Sequence, residues 1–139
     1  MAEFSLVIIT PERRFFDGKC ESLILPAIDG SIGIMANHAP MAVALEAGEL
    51  IMRLPGGETK TAAASEGFAT VHDNSVLIVL QTAEWPEEID INRAMRDERI
   101  AKERLLRRQS MTEHHMARAM LTRAMVRLRV SSHSDQNTL

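Results

Sequence analysis

The chain has 139 residues, of which 45% are apolar and 25% charged, with a net charge of −3 and a single cysteine. That is the balance of a globular protein of one average domain or two small units, and it excludes an internal disulfide and any multi-cysteine zinc site. No apolar run approaches the roughly 20 residues that span a bilayer, and the opening MAEFSLVIIT lacks both the basic start of a secretory leader and an arginine-rich amphipathic pattern, so a reducing, cytoplasmic interior is expected.

Charge divides the chain. Residues 1–86 carry five Lys/Arg against eleven Asp/Glu, a balance of −6, and residues 87–139 carry eleven against eight, a balance of +3. The break near Pro86 is also a break in pattern. Two domains are expected, 1–86 and 87–139.

In the first, short β-branched runs alternate with turn signals. Phe4–Thr10 ends at Pro11, and Glu21–Pro26 follows a predicted turn at Asp17-Gly18. Leu50–Leu54 and Glu58–Ala64 flank Pro55-Gly56-Gly57, a hairpin signal. Phe68–Val71 and Ser75–Leu80 flank His72-Asp73-Asn74, another. Strands of this length and spacing predict an antiparallel β-sandwich or flattened barrel.

After Pro86 the period becomes helical. Asp90 is an N-cap for a helix to Arg108, with Ile91, Ala94, Met95, Ala101 and Leu105 on one stripe. Gln109 to Met111 interrupts it. Ser110-x-x-Glu113 is a capping box for a second helix, to about Val130, with Ala117, Met120, Leu121, Ala124 and Leu128 as its apolar seam. Each helix is about 28 Å long at 1.5 Å per residue. So short a link predicts an antiparallel two-helix hairpin, and residues 131–139 read as a frayed polar tail. The fold class is therefore α+β, a sandwich followed by a hairpin. The hairpin's stripes are rich in Ala and Met, and such a pair is marginal alone. It needs a further surface, and a hairpin that chooses between surfaces is a natural switch.

Four chemical readings are open to test. Gly30-Ser31-Ile32-Gly33 has the Gly-x-x-Gly form with which KH domains clamp RNA, but no Lys or Arg occurs from Cys20 to Met52 to draw a phosphate. Walker and Rossmann glycine patterns are absent, so Gly30 and Gly33 read as turn or bulge glycines. His38 lies in Asn37-His38-Ala39-Pro40, a tight turn in which Pro40 forces Ala39 extended; no catalytic motif surrounds it, and a structural or docking histidine is the reading. His114 and His115 are neighbours on a helix and diverge by about 100°, whereas a helical metal pair needs i,i+4. The hairpin arginines resemble a nucleic-acid surface, but four acids are interleaved from Asp97 to Glu113, which favours a solvated face or an acidic protein partner. No catalytic, cofactor-binding or metal residue emerges, and no nucleic-acid partner. The alternative function is a free-standing RNA- or nucleotide-binding module using Gly30–Gly33 or the arginine hairpin.

The motifs nevertheless form an ordered set. They are Thr10-Pro11-Glu12 with Phe16-Asp17-Gly18, then Leu25-Pro26, then Asp29-Gly30-x-Ile32-Gly33-Ile34 with Asn37-His38-Ala39-Pro40. Gly48-x-Leu50, Gly67-Phe68, Ile89-Asp90-x-x-Arg93-Ala94 and Ala124-x-x-Arg127-Leu128-x-Val130 follow. In this order and spacing the whole chain resembles the epsilon subunit of bacterial F-type ATP synthases. The resemblance implies a non-catalytic rotor subunit of the central stalk in a proton-translocating synthase. It implies partners: the gamma subunit, the c-subunit ring and, through the C-terminal helices, the alpha/beta catalytic hexamer, where those helices block ATP hydrolysis. It implies a peripheral place on the cytoplasmic face of the bacterial cell membrane, held there only through partner subunits. Ser31 and His38 fall at the c-ring and gamma contact. Some members bind one regulatory ATP, and that site maps onto Glu84, Ile89, Asp90, Arg93, Ala94, Arg123 and Arg127. A further arginine typical of the ATP binders falls at Ile100, which Arg99 and Arg104 only flank.

Overall fold

A computed structural model describes residues 2–107 and 110–136, the last four of these by backbone alone. It divides into two compact units between Glu84 and Trp85.

The first unit is all strand. β1 (Phe4–Ile9), β2 (Arg14–Cys20), β3 (Ser22–Ala27), β4 (Gly30–Met35), β5 (Met41–Leu45), β6 (Gly48–Arg53), β7 (Thr59–Ala64), β8 (Gly67–His72), β9 (Ser75–Leu80) and β10 (Ala83–Glu84) follow in order. They are hydrogen-bonded as β10-β7-β6-β3-β5-β8-β9-β1-β2, with β4 added on β3. The path folds into two layers at β3, which pairs with β6 through Ser22, Leu23 and Ile24 but with β5 only at Ala27–Leu45. Alternation fills the space between the layers: Phe4, Leu6 and Ile8 of β1, Leu23 and Leu25 of β3, Leu50 and Met52 of β6, and Ile78 and Leu80 of β9 are all buried.

Among the described residues every strand pair is antiparallel except one: β1 runs parallel to β9, Ser5 to Ile9 against Ser75 to Val79. Local alternation carries no sign of strand direction, so the sequence could not reveal it. Asp17-Gly18, expected as a turn, lies inside β2, where Gly18 pairs with Leu6 and Asp17 with Val7. The missing Cβ of Gly18 makes room for the Phe16 ring, whose Cζ is 3.3 Å from where a Cβ would stand. The other hairpin signals act as expected. Asp73 and Asn74 both take positive φ, 49° and 56°, as a two-residue hairpin turn demands, and Gly56 and Gly57 do likewise. Asn74 does more than turn. Its Oδ1 accepts from the Asn37 backbone N–H at 2.7 Å, its Nδ2 donates to Glu3 carbonyl at 3.0 Å, and its own carbonyl accepts from Ser5 N–H.

Cys20 is fully buried, and its Sγ lies 3.0 Å from the Ser22 carbonyl and 3.3 Å from that of Arg53. Burial pushes its thiol pKa up, the backbone contacts opposing only in part.

The second unit begins with a single 3-10 turn, Pro86–Glu88, fixed by a hydrogen bond from Trp85 N–H to Glu88 Oε1 at 2.9 Å. α1 (Ile91–Leu105) and α2 (Met111–Gln136) form an antiparallel hairpin. Asp90 caps α1, its Oδ1 accepting from Arg93 N–H at 3.0 Å, and Ser110 caps α2, its Oγ accepting from Glu113 N–H at 3.2 Å. The predicted end of the first helix, Arg108, and the interrupting Gln109 lie outside the described residues. α2 runs six residues beyond Val130, into the segment expected to fray; the hydroxyls of Ser131 and Ser132 donate back to the Leu128 and Arg129 carbonyls, and Ser131 is buried.

The apolar stripe of α1 is narrower than its pattern. Ala94 and Ala101 are buried, but Ile91 and Met95 are exposed. On α2, Ala117 and Ala124 are buried with Val126 and Val130, while Met120, Leu121 and Leu128 are half-buried. The buried alanines are seven apart on both helices, so on each they lie on one covered stripe. Small residues at heptad spacing let two helices approach closely with little apolar area between them. Two polar contacts span the same seam: Arg127 Nη1 lies 3.8 Å from Asp97 Oδ2, and Arg104 Nη1 lies 3.9 Å from Met120 Sδ.

Two measurements test this packing. A Cβ at Gly67 would lie 1.9 Å from the Val79 carbonyl oxygen, whereas one at Gly33 meets nothing within 4 Å. In urea denaturation Gly67→Ala should lose at least about 1–3 kcal/mol, and Gly33→Ala should stay within about 0.5 kcal/mol of the parent. For Cys20, a folded-state pKa above the unfolded value of about 8.5 means that the native state binds more protons in the alkaline range. Its contribution is whole below that pH and is lost as pH rises through the raised folded value. Stability should therefore fall more steeply between pH 8 and pH 10 in the parent than in Cys20→Ala, by up to about 1.4 kcal/mol per pH unit.

Candidate functional site

The residues singled out in the sequence fall into two groups. The first is the segment Asp29 to Pro40. Gly30 and Gly33 do not form a loop between helices, as a KH clamp requires. They lie in β4, where Gly30 pairs with Ala27 and Gly33 with Ile24. Gly30 has φ 122°, so it makes the turn that follows Ile28-Asp29. Gly33 has neither positive φ nor a close neighbour, and the expectation that it serves a turn or bulge is corrected: it is an ordinary strand residue facing outward.

Ser31 is exposed beside the β3–β4 turn, and His38 is half-buried beyond the other end of β4. From Ser31 to Met35 the strand rises about 14 Å, so the structure does not bring Ser31 and His38 together. They belong to opposite ends of one strand. His38 Nδ1 donates to the neighbouring Ala39 carbonyl at 2.8 Å, and Asn37 beside it takes φ 62°. That ring nitrogen is thereby held by the backbone. At the Ser31 end the turn tip carries Ile28, 56% exposed, and at the far end Met35 is 60% exposed. Apolar side chains at both ends of a strand whose face is otherwise small (Gly30, Ser31, Gly33) suit contact with protein surfaces. Sequence reading missed Ile28, whose only signal was an isoleucine directly before Asp29-Gly30.

The second group lies around the helices. Glu84 ends β10, paired with Ala63 in the sandwich unit; the other six belong to the helical unit. Ile89 is buried, and Ala94 is fully so. Asp90 spends one carboxylate oxygen on its own helix cap. Arg93 is exposed on the first turn of α1, Arg123 is exposed on α2, and Arg127 is mostly buried against Asp97. Arg123 and Arg127 are one turn apart on α2, and Arg93 is one turn before Asp97 on α1. The set is therefore a group of arginines on both helices with a carboxylate already paired to one of them. An anion that takes Arg127 must displace Asp97 or share the guanidinium with it. Ile100 offers nothing polar from α1 to replace that lost attraction.

Among the described residues no group of three or more His, Cys, Asp or Glu is placed to hold a metal, and no helix is long and apolar enough to cross a membrane. A surface concavity of the sandwich, about 280 Å³, lies at the ends of β1 and β9 and the start of β8, lined by Ile9, Pro11, Phe68 and Val79 with Glu66 and Gln81. It contains no pair of groups set for acid–base or nucleophilic work.

Comparison with known proteins gives one answer across the chain. The family model of the ATP synthase delta/epsilon chain β-sandwich domain matches residues 3–86, and that of its long α-helix domain matches residues 87–132. The chain is 42% identical over 128 residues to the ATP synthase epsilon chain of Ruminiclostridium cellulolyticum, covering 92% of this chain and 95% of the relative. It is 41% identical over 138 residues to the epsilon chain of Symbiobacterium thermophilum, covering 99% of both. In fold it is similar to a chain of the Euglena gracilis mitochondrial ATP synthase, solved as the OSCP/F1/c-ring part, with a TM-score of 0.82 at 21% identity, covering 96% of this chain and 83% of that one. Matched end to end by both domain models and by relatives above 40% identity, the chain belongs to the ATP synthase delta/epsilon chain family, as an epsilon chain.

Proposed function

We propose that the protein is a non-catalytic rotor subunit of the central stalk of a proton-translocating F-type ATP synthase, coupling rotation of the c-ring to ATP synthesis and restraining ATP hydrolysis through its helical hairpin. The observation that carries this reading is the full-length match to epsilon chains, residue 3 to 132, in both of its parts. The sandwich supplies a stiff body: layers of buried Leu, Ile and Phe resist deformation, as a part that transmits torque must. Its partners are the gamma subunit and the c-ring, with Ser31 and His38 as contact residues. Since they stand at opposite ends of β4, each serves a different part of that surface, and Ile28 and Met35 join them there. The protein is held at the cytoplasmic face of the bacterial membrane by these partners alone.

The hairpin has the opposite character. Its buried apolar side chains, among the described residues of the two helices, are alanines and valines, so closing it gains modest area, and a small differential affinity for a second surface is enough to shift it. Extended toward the alpha/beta hexamer, its arginines meet acidic segments by charge complementarity. The regulatory ATP site follows the same logic: Arg93, Arg123 and Arg127 of the helical unit hold phosphates, with Ile89, Asp90 and Ala94 beside them, and ATP stabilises the closed hairpin. Asp97 opposes that binding by holding Arg127.

Two experiments decide these points. Removing residues 88–139 should leave synthase assembly intact and raise ATP hydrolysis severalfold in membrane vesicles; an unchanged rate sinks the inhibitory role. Calorimetry of the full chain should give heat at millimolar ATP, with affinity roughly tenfold lower in Arg93→Ala, the value of one charge-assisted hydrogen bond. Absence of heat in the parent at millimolar ATP removes the site.

A further inference from the structure

Five of the nine methionines lie between residues 95 and 125. Four of them, Met95, Met111, Met116 and Met125, stand out from the hairpin, between 43% and 73% exposed. The fifth, Met120, is half-buried and does something different. Its sulfur faces the guanidinium of Arg104 on the opposite helix, Sδ to Nη1, at 3.9 Å. A thioether is a weak acceptor, so at this distance the contact adds little to the alanine seam beside it. The geometry is nonetheless that of a donor aimed at an oxidisable atom.

We propose that Met120 is a reversible oxidation site whose sulfoxide locks α1 to α2 through Arg104. The oxidant is a hydroperoxide. A sulfur lone pair attacks one peroxide oxygen, the O–O bond breaks, and an S–O bond forms. The proton of the attacked oxygen passes to the departing one, which leaves as water when the oxidant is hydrogen peroxide. Sulfur loses two electrons and the peroxide gains them. The new oxygen carries partial negative charge and lies a bond length nearer the guanidinium. A weak sulfur acceptor thereby becomes a strong oxygen acceptor for a cationic donor, the class of hydrogen bond that exceeds neutral ones. Methionine sulfoxide normally loosens structure, because it puts a polar group into apolar packing. Here the sign reverses, because the sulfur is half-buried rather than enclosed in the core and faces a cation. Among the described residues no donor faces the sulfurs of the exposed methionines, and their oxidation only makes the surface more polar. A sulfoxide reductase restores the thioether and releases the lock.

The lock stands on the hairpin geometry alone; only its consequence, a hairpin held closed and withheld from the catalytic hexamer, rests on the proposed function. The test reads the lock in the full chain. Met95→Leu, Met111→Leu, Met116→Leu and Met125→Leu, volume-conserving changes, leave Met120 as the oxidisable methionine of the hairpin. Hydrogen peroxide is added, peptide mass spectrometry locates the sulfoxide, and amide exchange is followed over residues 91–130. Met120 sulfoxide should slow hairpin exchange by roughly three- to tenfold, the reductase should reverse it, and in an added Arg104→Ala variant oxidation should accelerate exchange instead. Unchanged or faster exchange with Arg104 present, slowing that persists in Arg104→Ala, or failure of Met120 to oxidise where the exposed Met35 does, overturns the proposal.

Discussion

The sandwich depends on β1. Its three inward side chains, Phe4, Leu6 and Ile8, are no more than 1% exposed, and its two edges are both paired, one to β2 and one to β9. The second pairing is parallel and joins the first strand of the chain to the ninth. Seven strands must therefore fold between them before the layer is complete. That long-range ladder is costly in loop-closure entropy, and it is offset by burial of β1 among Val76, Ile78 and Leu80 of its partner. Asn74 secures the same junction at its start, tying the β8–β9 turn both to Glu3 and Ser5 and to the Asn37 loop. The position of His38 thus traces back, through Asn37, to the closure of the sheet.

The helical unit is held by a different kind of contact. Among the described residues, buried alanines with Val126 and Val130, an ion pair and a sulfur contact lie along the hairpin, whereas the sandwich buries many Leu and Ile side chains. Burying an alanine removes little apolar area from water, and at about 25 cal/mol per Å² the gain is correspondingly small. The caps at Asp90 and Ser110 and the serine back-bonds near the end of α2 secure each helix individually. The pairing between the helices is left weak. One chain therefore contains a rigid body and a pair of well-formed helices that separate at low cost, which is what torque transmission and conditional inhibition respectively require.

Asp97 shows how finely the hairpin is poised. It neutralises Arg127 in the closed form, shielding the mostly buried cation from the desolvation that would otherwise oppose burial. The same carboxylate competes with any phosphate that approaches. In this chain the hairpin carries its own anion, and Ile100 removes a cation from the opposing side. The Asp97 pairing and any phosphate would thus draw on the same guanidinium.

Much was legible before any coordinates. Alternation gave six strands, Asp73-Asn74 and Pro55-Gly56-Gly57 gave two hairpin turns, and Asp90 and Ser110 gave the helix starts, because each of these is a local rule about φ, pattern period or an orphan N–H. The ordered motifs gave the family. What the sequence could not show is non-local: the parallel sense of β1 against β9, Asp17-Gly18 as strand, Gly33 as an unexceptional strand residue, and Ile91 and Met95 facing away from the seam that their spacing suggested. Helical periodicity identifies a stripe about 100° wide, but only the partner helix decides which part of that stripe is covered. Ser31 and His38, seven residues apart in sequence, were separated by the length of β4 because an extended strand rises about 3.4 Å per residue. The chemistry of each residue was set by its own type and neighbours; which residues meet was decided by the ladders and the hairpin, since pairing brings together atoms that lie far apart along the chain.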